Sequence, residues 1–276
     1  MPKSLSDVLE IVARTDPGVV RGHNEDSVSS NASLGLVILA DGMGGYNAGE
    51  VASSMATTYL ASELEKDFAI RSPSEIDQAS GETLAWRCLR ERIAMANAAI
   101  FHAAEKQPQY SGMGTTLVTG VFCDNTLTVA HIGDSRLYRL RGDEFTVLTR
   151  DHSLLQEQIE SGMISAADAR FSQNRNLVTR ALGVEEAVET EIHDHPVLPG
   201  DLYLLCSDGL NDMVEDEEIG MALQMLSANL ELAATQLIQM ANDNGGRDNV
   251  SVILVKVLRE FPVERGWWAK FKEWFK

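Results

Sequence analysis

Aspartates stand at the ends of several apolar, strand-like segments of this sequence. The four positions are Asp41-Gly42 after LVILA, Asp134-Ser135 after AHIG, Asp208-Gly209 after LYLLCS, and Asp248-Asn249 before VSVILV. A single Asp-Gly pair is typical of a plain turn. Four such points, on strands that lie side by side in packed sheets, would instead bring several carboxylates together at one edge.

A carboxylate cluster of this kind predicts a site for divalent cations. Like charges raise one another's pKa, and bound cations remove that conflict. Oxygen ligands without His or Cys select Mg²⁺ or Mn²⁺ over zinc or copper. A carboxylate that bridges two ions about 3.5–4 Å apart can activate water for in-line displacement at phosphorus. We expect Asp41 to be that bridge, and Gly42, which has no Cβ, to allow a tight turn that directs its carbonyl at the metal.

Arg21, in the segment VVRGHNED, is a candidate for phosphate binding. Its guanidinium is a planar fork that matches two phosphate oxygens, a geometry that lysine lacks. The alternative is a solvated surface arginine, and the residue type alone does not separate the two.

The elements that must position these residues are strands and paired helices. Strand-like segments follow one another between 115 and 149, with turn signals at Asp124-Asn125 and Gly142-Asp143, and we predict that they are antiparallel neighbours because no crossover helix fits between them. The pattern predicts an α+β sandwich of packed sheets covered by helices. The other predicted strands are 8–13, 34–40, 202–206 and 250–257, and the predicted helices are 47–68, 82–105, 151–161, 216–225 and 230–241.

Length and composition indicate one globular domain. The chain has 276 residues, 44% of them hydrophobic, and shows neither an apolar run long enough to span a bilayer nor a targeting segment at its start. We therefore expect a cytoplasmic protein. Its 41 acidic residues outnumber 23 basic ones, for a formal charge of −18, which argues against nucleic acid as a partner.

The three cysteines indicate no disulfide or zinc site. Cys88, Cys123 and Cys206 lack CxxC spacing and lie in apolar stretches, so buried thiols are the better interpretation. None has the C-x₅-R setting of a thiolate phosphatase.

We place the predicted domain at 1–260, with a surface flap inside it and a separate tail after it. Residues 162–176 are polar and weakly periodic, as in a surface flap. Residues 261–276 form an aromatic and basic tail, which can fold back onto the domain, dock a partner protein, or lie on an anionic membrane surface. The tail's aromatic residues are Trp267, Trp268, Phe271, Trp274 and Phe275, and its lysines are Lys270, Lys272 and Lys276.

An ordered series of motifs resembles the metal-dependent protein phosphatases of the protein phosphatase 2C type, in their bacterial form. The resemblance covers residues 8–257 and implies a four-layer α/β/β/α sandwich of two antiparallel sheets flanked by helix pairs. The motifs are VVRGHNEDS, ILADGMGGYNAGEVAS, GMGTTLV, AHIGDSRLYRLR, LTRDHSL, LVTRALG, LLCSDGL and GGRDNVSVILV.

The resemblance also assigns roles to single residues. It implies two core ions, Mn²⁺ or Mg²⁺, with a third, weaker ion held by Asp134 and Asp208. Asp134 is also placed in catalysis, near a water that could protonate the leaving group. The implied set is Asp41 as bridging ligand, Gly42 as carbonyl ligand, Asp208 and Asp248 on one ion, Glu25 and Asp26 on the second, Arg21 on the phosphate, and Asn249 as the residue that orients the Asp248 loop.

One position departs from the animal members of the family. They carry a histidine after the first Asp-Gly, proposed as the general acid, and this chain has Met43, as bacterial relatives often do. The acid therefore stays unassigned, with His23 as an alternative to the water near Asp134. We interpret His152 as structural and expect Asp151 or Ser153 to cap a helix.

The expected function is hydrolysis of phosphoserine and phosphothreonine in proteins, in a single step by metal-activated water. The resemblance implies that the partners are phosphorylated Ser/Thr proteins and a cognate Ser/Thr kinase that this enzyme opposes. Two alternatives stay open: an inactive regulatory pseudophosphatase, and a hydrolase of small phosphoesters.

Overall fold

The computed structural model describes residues 4–45, 47–78, 80–165 and 177–262. Eleven strands occur in that part of the chain. They are β1 (Leu9–Asp16), β2 (Asp26–Asn31), β3 (Leu36–Met43), β4 (Gly114–Thr115), β5 (Leu117–Cys123), β6 (Thr126–Ile132), β7 (Arg136–Arg141), β8 (Glu144–Val147), β9 (Glu191–Pro196), β10 (Leu202–Cys206) and β11 (Val250–Val257). The α-helices are α1 (Ala48–Ile70), α2 (Leu84–Lys106), α3 (Leu154–Glu160), α4 (Asp208–Asn211), α5 (Asp216–Leu226) and α6 (Leu230–Asp243), and a 3₁₀ turn spans Pro108–Tyr110.

The strands form two antiparallel sheets. The first has the order β1-β11-β10-β7-β8, and the second has the order β2-β3-β5-β6-β9 with β4 paired to β3. Strand β3 shows how the layers are stacked. Leu36 and Ile38 pack against α1 and α2, whereas Val37 and Leu39 face the first sheet. Both faces of β3 are buried, so its sequence is a continuous apolar run.

Helices cover the outer face of each sheet. The pair α1 and α2 packs on the second sheet. The pair α5 and α6 packs on the first, against Leu204 and Leu254. A separate apolar cluster fills the space between the sheets, with Tyr203 and Phe122 at its centre. The α/β/β/α sandwich of two antiparallel sheets predicted from the sequence is confirmed.

The start of α1 lies unusually close to the strands beneath it. Its first turns bury small residues, among them Ala48, Gly49, Ala52 and Ser53, so that the helix backbone approaches β2 and β3 closely. Ser53 fixes this approach, since its hydroxyl donates to the backbone oxygen of Glu25 at 2.5 Å. The helix thereby closes one side of the edge where the aspartates were predicted.

One topological prediction was wrong. Strands β6 and β7 are separated by three residues, yet they lie in different sheets rather than pairing. The chain crosses between the sheets through Gly133, whose φ of +101° suits glycine. A Cβ at Gly133 would also lie 2.7 Å from the side chain of Thr116. Asp134 lies in this crossover, so it is placed between the two sheets.

Edge strands and chain ends account for the other differences. The polar strands β2 and β9, both at sheet edges, were not predicted. Phe261, assigned above to the tail, is 3% exposed in the cluster between the sheets. Residues 166–176 of the predicted flap and 263–276 of the tail lie outside the described residues. Among the described helices, none combines the length and apolar character needed to cross a bilayer.

Candidate metal centre

Two of the predicted site residues face each other across the β2-β3 ladder. Asp26 opens β2 and is the register partner of Asp41 near the end of β3. Asp26 is 9% exposed, and its Oδ2 accepts a 2.8 Å hydrogen bond from Ser207 Oγ of the first sheet. Burial, opposed in part by the neighbouring hydroxyls of Ser251 and Ser207, raises the pKa of Asp26 to about 6.

The backbone of Asp41 is held by two threonines. Thr116 donates its backbone N–H to Asp41 O at 2.8 Å and accepts the N–H of Asp41 on Oγ1 at 3.1 Å. Thr115 Oγ1 also donates to Asp41 O, at 2.8 Å. These bonds leave the carboxyl as the free end of the residue. Burial, and then repulsion from Asp26 and Asp208, raise the pKa of Asp41 well above its ordinary range.

The second Asp-Gly pair faces this point from the other sheet. Asp208 follows β10 and opens the short helix α4. Burial and the negative charges of Asp134, Asp212 and Asp248 raise its pKa well above the ordinary range. A Cβ on Gly209 would lie 2.0 Å from the backbone oxygen of Asn249, so only glycine allows this approach of the two strand ends.

Gly42 has the same function on the first Asp-Gly pair. A Cβ there would lie 2.1 Å from Gly49 O in α1 and 2.6 Å from Glu25 O. The Gly42 N–H donates to Glu25 O at 3.1 Å. The carboxyl of Glu25 reaches the same helix turn, since a Cβ on Gly49 would be 2.7 Å from Glu25 Oε1. Glu25 and Gly42 are therefore brought together against the start of α1.

Asp248 and Arg21 form an ion pair at the rim. Arg21 Nη2 donates to Asp248 Oδ2 at 2.7 Å, and the Asn249 backbone N–H donates to Asp248 Oδ1 at 2.9 Å. The side chain of Asn249 bonds to the loop between β1 and β2 rather than to the Asp248 turn. Its Oδ1 accepts from Glu25 N, and its Nδ2 donates to the backbone oxygens of Pro17 and His23. One asparagine thus fixes the segment on which Arg21 and Glu25 lie.

Asp134 reaches the cluster from the crossover between the sheets. It is 7% exposed, and burial together with the charge of Asp151 raises its pKa to about 6. It lines a cleft of about 340 Å³ with Asp208. The cleft holds further acidic residues that were not predicted as site residues, because no strand-end motif marks them. They are Asp151, which was considered only as a helix cap, and Asp212, Glu215, Asp216 and Glu217.

These residues fit a pair of hard divalent cations. Oδ1 of Asp26 is buried and has no hydrogen-bond partner among the described residues. The charges that raise the pKa of Asp41 are those of Asp26, Asp208, Asp134 and Asp248, all of them carboxylates. An unpaired oxygen within a set of mutually repelling carboxylates is costly unless a cation balances it. All-oxygen donors suit Mg²⁺ and Mn²⁺.

Comparison with known proteins identifies the family of this chain. The model of the family Protein phosphatase 2C matches residues 21–258, from Arg21 to the end of β11. The chain belongs to the protein phosphatase 2C family.

Two curated relatives and one solved structure illustrate the match to this family. Serine/threonine protein phosphatase PstP of Mycobacterium tuberculosis is 41% identical over 251 residues, which cover 91% of this chain and 45% of PstP. Serine/threonine phosphatase stp of Listeria innocua is 39% identical over 246 residues, covering 88% of this chain and 94% of that protein. The catalytic domain of PstP, solved in complex with two manganese ions, superposes with a TM-score of 0.77 at 41% identity, over 91% of this chain and 99% of that one. This chain thus spans less than half the length of full PstP.

The structure also describes the other candidates from the sequence, which are not among the proposed metal ligands. Met43 ends β3 beside Gly114 of β4. His23 is exposed, and the structure shows its backbone oxygen in use, as an acceptor for Asn249. Ser153, rather than Asp151, caps α3, because its side chain accepts the Gln156 N–H.

Asp151 instead forms a bidentate ion pair with Arg136, which the sequence analysis missed. The bonds run from Nε to Oδ1 at 2.9 Å and from Nη2 to Oδ2 at 2.7 Å. This pair lies beside Asp134 in the acidic cleft. It places one positive charge there among carboxylates.

The cysteines are free, and none is suited to be a nucleophile. Cys88 and Cys206 are buried, as predicted, whereas Cys123 is only half-buried. Burial raises the pKa of Cys88 to about 11 and raises that of the other two as well. A thiol with a raised pKa is a poor source of thiolate.

Proposed function

We propose that this chain is a Mn²⁺- or Mg²⁺-dependent protein serine/threonine phosphatase. The observation that carries the proposal is the meeting of Asp26, Asp41, Asp208 and Asp248 at one rim of two sheets, with an unpaired buried oxygen on Asp26. The relatives named above as serine/threonine phosphatases support the substrate class. Cations bound there would supply an activated water and offset the charge of the phosphoryl oxygens.

The protein's own residues have separate tasks in this reaction. Asp41 and Asp208 would hold the ions between the sheets, with Asp248, Glu25, Asp26 and the Gly42 carbonyl completing the set. Arg21 uses Nη2 for Asp248 and is 51% exposed at its side chain, so its outward N–H groups can bind a phosphate. In the overall change, a water oxygen forms a bond to phosphorus, the bond from phosphorus to the seryl or threonyl oxygen breaks, and that oxygen takes up a proton.

Turnover of p-nitrophenyl phosphate and of a phosphothreonine peptide tests the proposal. We expect activity with Mn²⁺ and none after exhaustive chelation. Asp208→Asn removes a negative ligand, and we expect a loss of more than about 100-fold, beyond the range seen for residues that only support a ligand. Asp143→Asn is the matched control, because Asp143 is exposed in the turn at the far end of β7.

Three results would contradict the assignment. Turnover that survives chelation would exclude a metal-dependent reaction. Manganese binding by calorimetry without any turnover would favour the pseudophosphatase, and hydrolysis of nucleotides in preference to the phosphopeptide would favour the small-molecule hydrolase. Opposition to a Ser/Thr kinase in the cytoplasm belongs to the same proposal, and a phosphoproteome that is unchanged when the gene is deleted would argue against it.

A further inference from the structure

His152 holds the crossover that carries Asp134 by two hydrogen bonds. The histidine is 6% exposed and lies between Arg136-bound Asp151 and the cap of α3. Its Nδ1 accepts the backbone N–H of Gly133 at 3.1 Å, and its own backbone N–H donates to Gly133 O at 2.9 Å. Both polar groups of the glycine at the sheet-to-sheet crossover are therefore bonded to one residue.

The bond at Nδ1 decides which nitrogen of His152 carries the proton. A neutral imidazole that accepts at Nδ1 has its hydrogen on Nε2. Nε2 lies 3.0 Å from Glu191 Oε2, so this hydrogen is donated to the carboxylate of β9. Glu191 in turn receives a second contact from His193 Nε2 at 3.3 Å.

The same atoms could be taken for a metal site. Three side chains, those of His131, His152 and Glu191, each offer one atom that could bind a metal, and these atoms lie within 4.8 Å of one another. A cation needs a lone pair on Nε2 of His152, however, and that would leave a hydrogen on Nδ1 facing the N–H of Gly133. Nε2 of His131 is likewise engaged, 2.8 Å from the backbone oxygen of Arg150. The hydrogen bonds therefore fit a network that holds these side chains in position, rather than a metal site.

The hydrogen-bond network extends from the crossover at Gly133 to the candidate metal centre. Ser135, two residues beyond Gly133, shares a 2.7 Å hydrogen bond with Thr116 Oγ1. Thr116 forms hydrogen bonds with both the backbone N–H and the backbone carbonyl of Asp41. The position of the crossover therefore affects both Asp134 and Asp41. The backbone oxygen of His152 accepts the N–H of Thr179, so the same network includes the segment that begins at residue 177.

We propose that His152 is a positioning residue of the metal centre. Oriented by Glu191, it holds Gly133 so that Asp134 and Ser135 face the centre from between the two sheets. The kinetic part of this inference rests on the proposed phosphatase function, whereas the spectroscopic part does not.

Two substitutions at His152 separate its two bonds. His152→Asn keeps an oxygen acceptor where Nδ1 lies and loses the donor to Glu191. His152→Gln keeps a donor near the position of Nε2 and loses the acceptor for Gly133. The control is His195→Gln, because His195 is half-buried on β9 and its Nε2 has no hydrogen-bond partner among the described residues.

We expect His152→Gln to lower kcat by about 10–100-fold, the range for residues that orient a metal ligand, with KM for p-nitrophenyl phosphate within about twofold. His152→Asn should stay within about fivefold of the wild type, since it retains the Gly133 bond, and His195→Gln should match the wild type. Equal losses in His152→Asn and His152→Gln, or an equal loss in His195→Gln, would overturn the proposal. So would an unchanged His152→Gln.

Nitrogen-15 NMR of the full chain without metal gives the second readout. We expect the Nε2–H tautomer of His152, and slow exchange of the Gly133 amide in the wild type and His152→Asn but fast exchange in His152→Gln. An Nδ1–H tautomer, or a Gly133 amide that exchanges equally in all variants, would overturn the inference. If the wild type lacks turnover, the proposed function fails, and these spectra still decide the role of His152.

Discussion

Replacing Asp26 by asparagine should make the metal-free protein more stable while weakening its hold on manganese. Asp26 and Asp41 are register partners on adjacent strands, and both are surrounded by further carboxylates. An asparagine has nearly the same shape and carries no charge. Its side-chain oxygen can still accept from Ser207 Oγ, and its NH₂ group can donate to Asp41 across the ladder.

The expected gain follows from the pKa of Asp26. Burial raises that pKa from an ordinary value of 3.8 to about 6. At about 1.4 kcal/mol for each tenfold change in acidity, ionised Asp26 lowers the free energy of unfolding by about 3 kcal/mol. Below pH 4 the carboxyl is protonated in both folded and unfolded chains, so the cost vanishes. It grows between about pH 4 and pH 6, where the unfolded chain ionises first, and is complete above pH 6.

Urea unfolding at several pH values, in chelator and in Mn²⁺, tests this reasoning. In chelator at pH 7.5 we expect Asp26→Asn to exceed the wild type by up to about 3 kcal/mol, with the difference closing as the pH falls to 4. Mn²⁺ at a hundredfold excess over Kd stabilises a binding site by about 2.7 kcal/mol, and we expect the wild type to gain more of this than the variant.

The control for this experiment is Asp143→Asn, which should change neither curve. An Asp26→Asn protein that is less stable than the wild type in chelator at pH 7.5 would refute the electrostatic argument. A stability difference that does not depend on pH would refute it too, and an equal gain from Mn²⁺ in both proteins would remove Asp26 from the metal centre.

Three further predictions concern the surroundings of the centre. Gly209→Ala should lower the free energy of unfolding by about 1–3 kcal/mol in urea, because its Cβ meets a backbone oxygen at 2.0 Å; Gly45→Ala, with open space around it, should be neutral. Asn249→Ala loses three hydrogen bonds to the Arg21 loop, so we expect a cost of about 2–4 kcal/mol and a higher KM for p-nitrophenyl phosphate. Iodoacetamide at pH 7.5 should leave turnover unchanged, since burial raises the pKa of Cys88 to about 11; inactivation in proportion to labelling would contradict this.

Buried elements of the fold could be predicted from the sequence because their patterns are strong. Residues 36–40 are apolar on both faces of the strand, and the structure shows why: one face meets α1 and the other meets the opposite sheet. The turn at Asp124-Asn125 was predicted as well, and both residues adopt the left-handed conformation of a tight hairpin, with φ of 48° and 58°.

Edge strands and the crossover could not be predicted in the same way. Strand β2 (DSVSSN) and strand β9 (EIHDHP) are half-exposed and polar, so they lack both an apolar run and a regular alternation. Gly133 looks like any turn glycine in the sequence. Its close approach to Thr116, which lies between β4 and β5, depends on tertiary packing and leaves no local signal.

The aspartates of the candidate site stand out in the sequence because local chemistry and tertiary packing agree there. Each Asp-Gly pair unites a carboxylate of the candidate site with a glycine that lets another backbone pass, Gly49 in one case and Asn249 in the other. A larger side chain at Gly42 would push β3 away from the start of α1, and one at Gly209 would push the neighbouring ends of β10 and β11 apart. Either change would displace the aspartate that precedes the glycine. A motif that supplies both the carboxylate and the space for a neighbouring backbone can be recognised from the sequence. His152, which acts on the backbone of a distant glycine, shows no such pattern and emerges only from the hydrogen bonds.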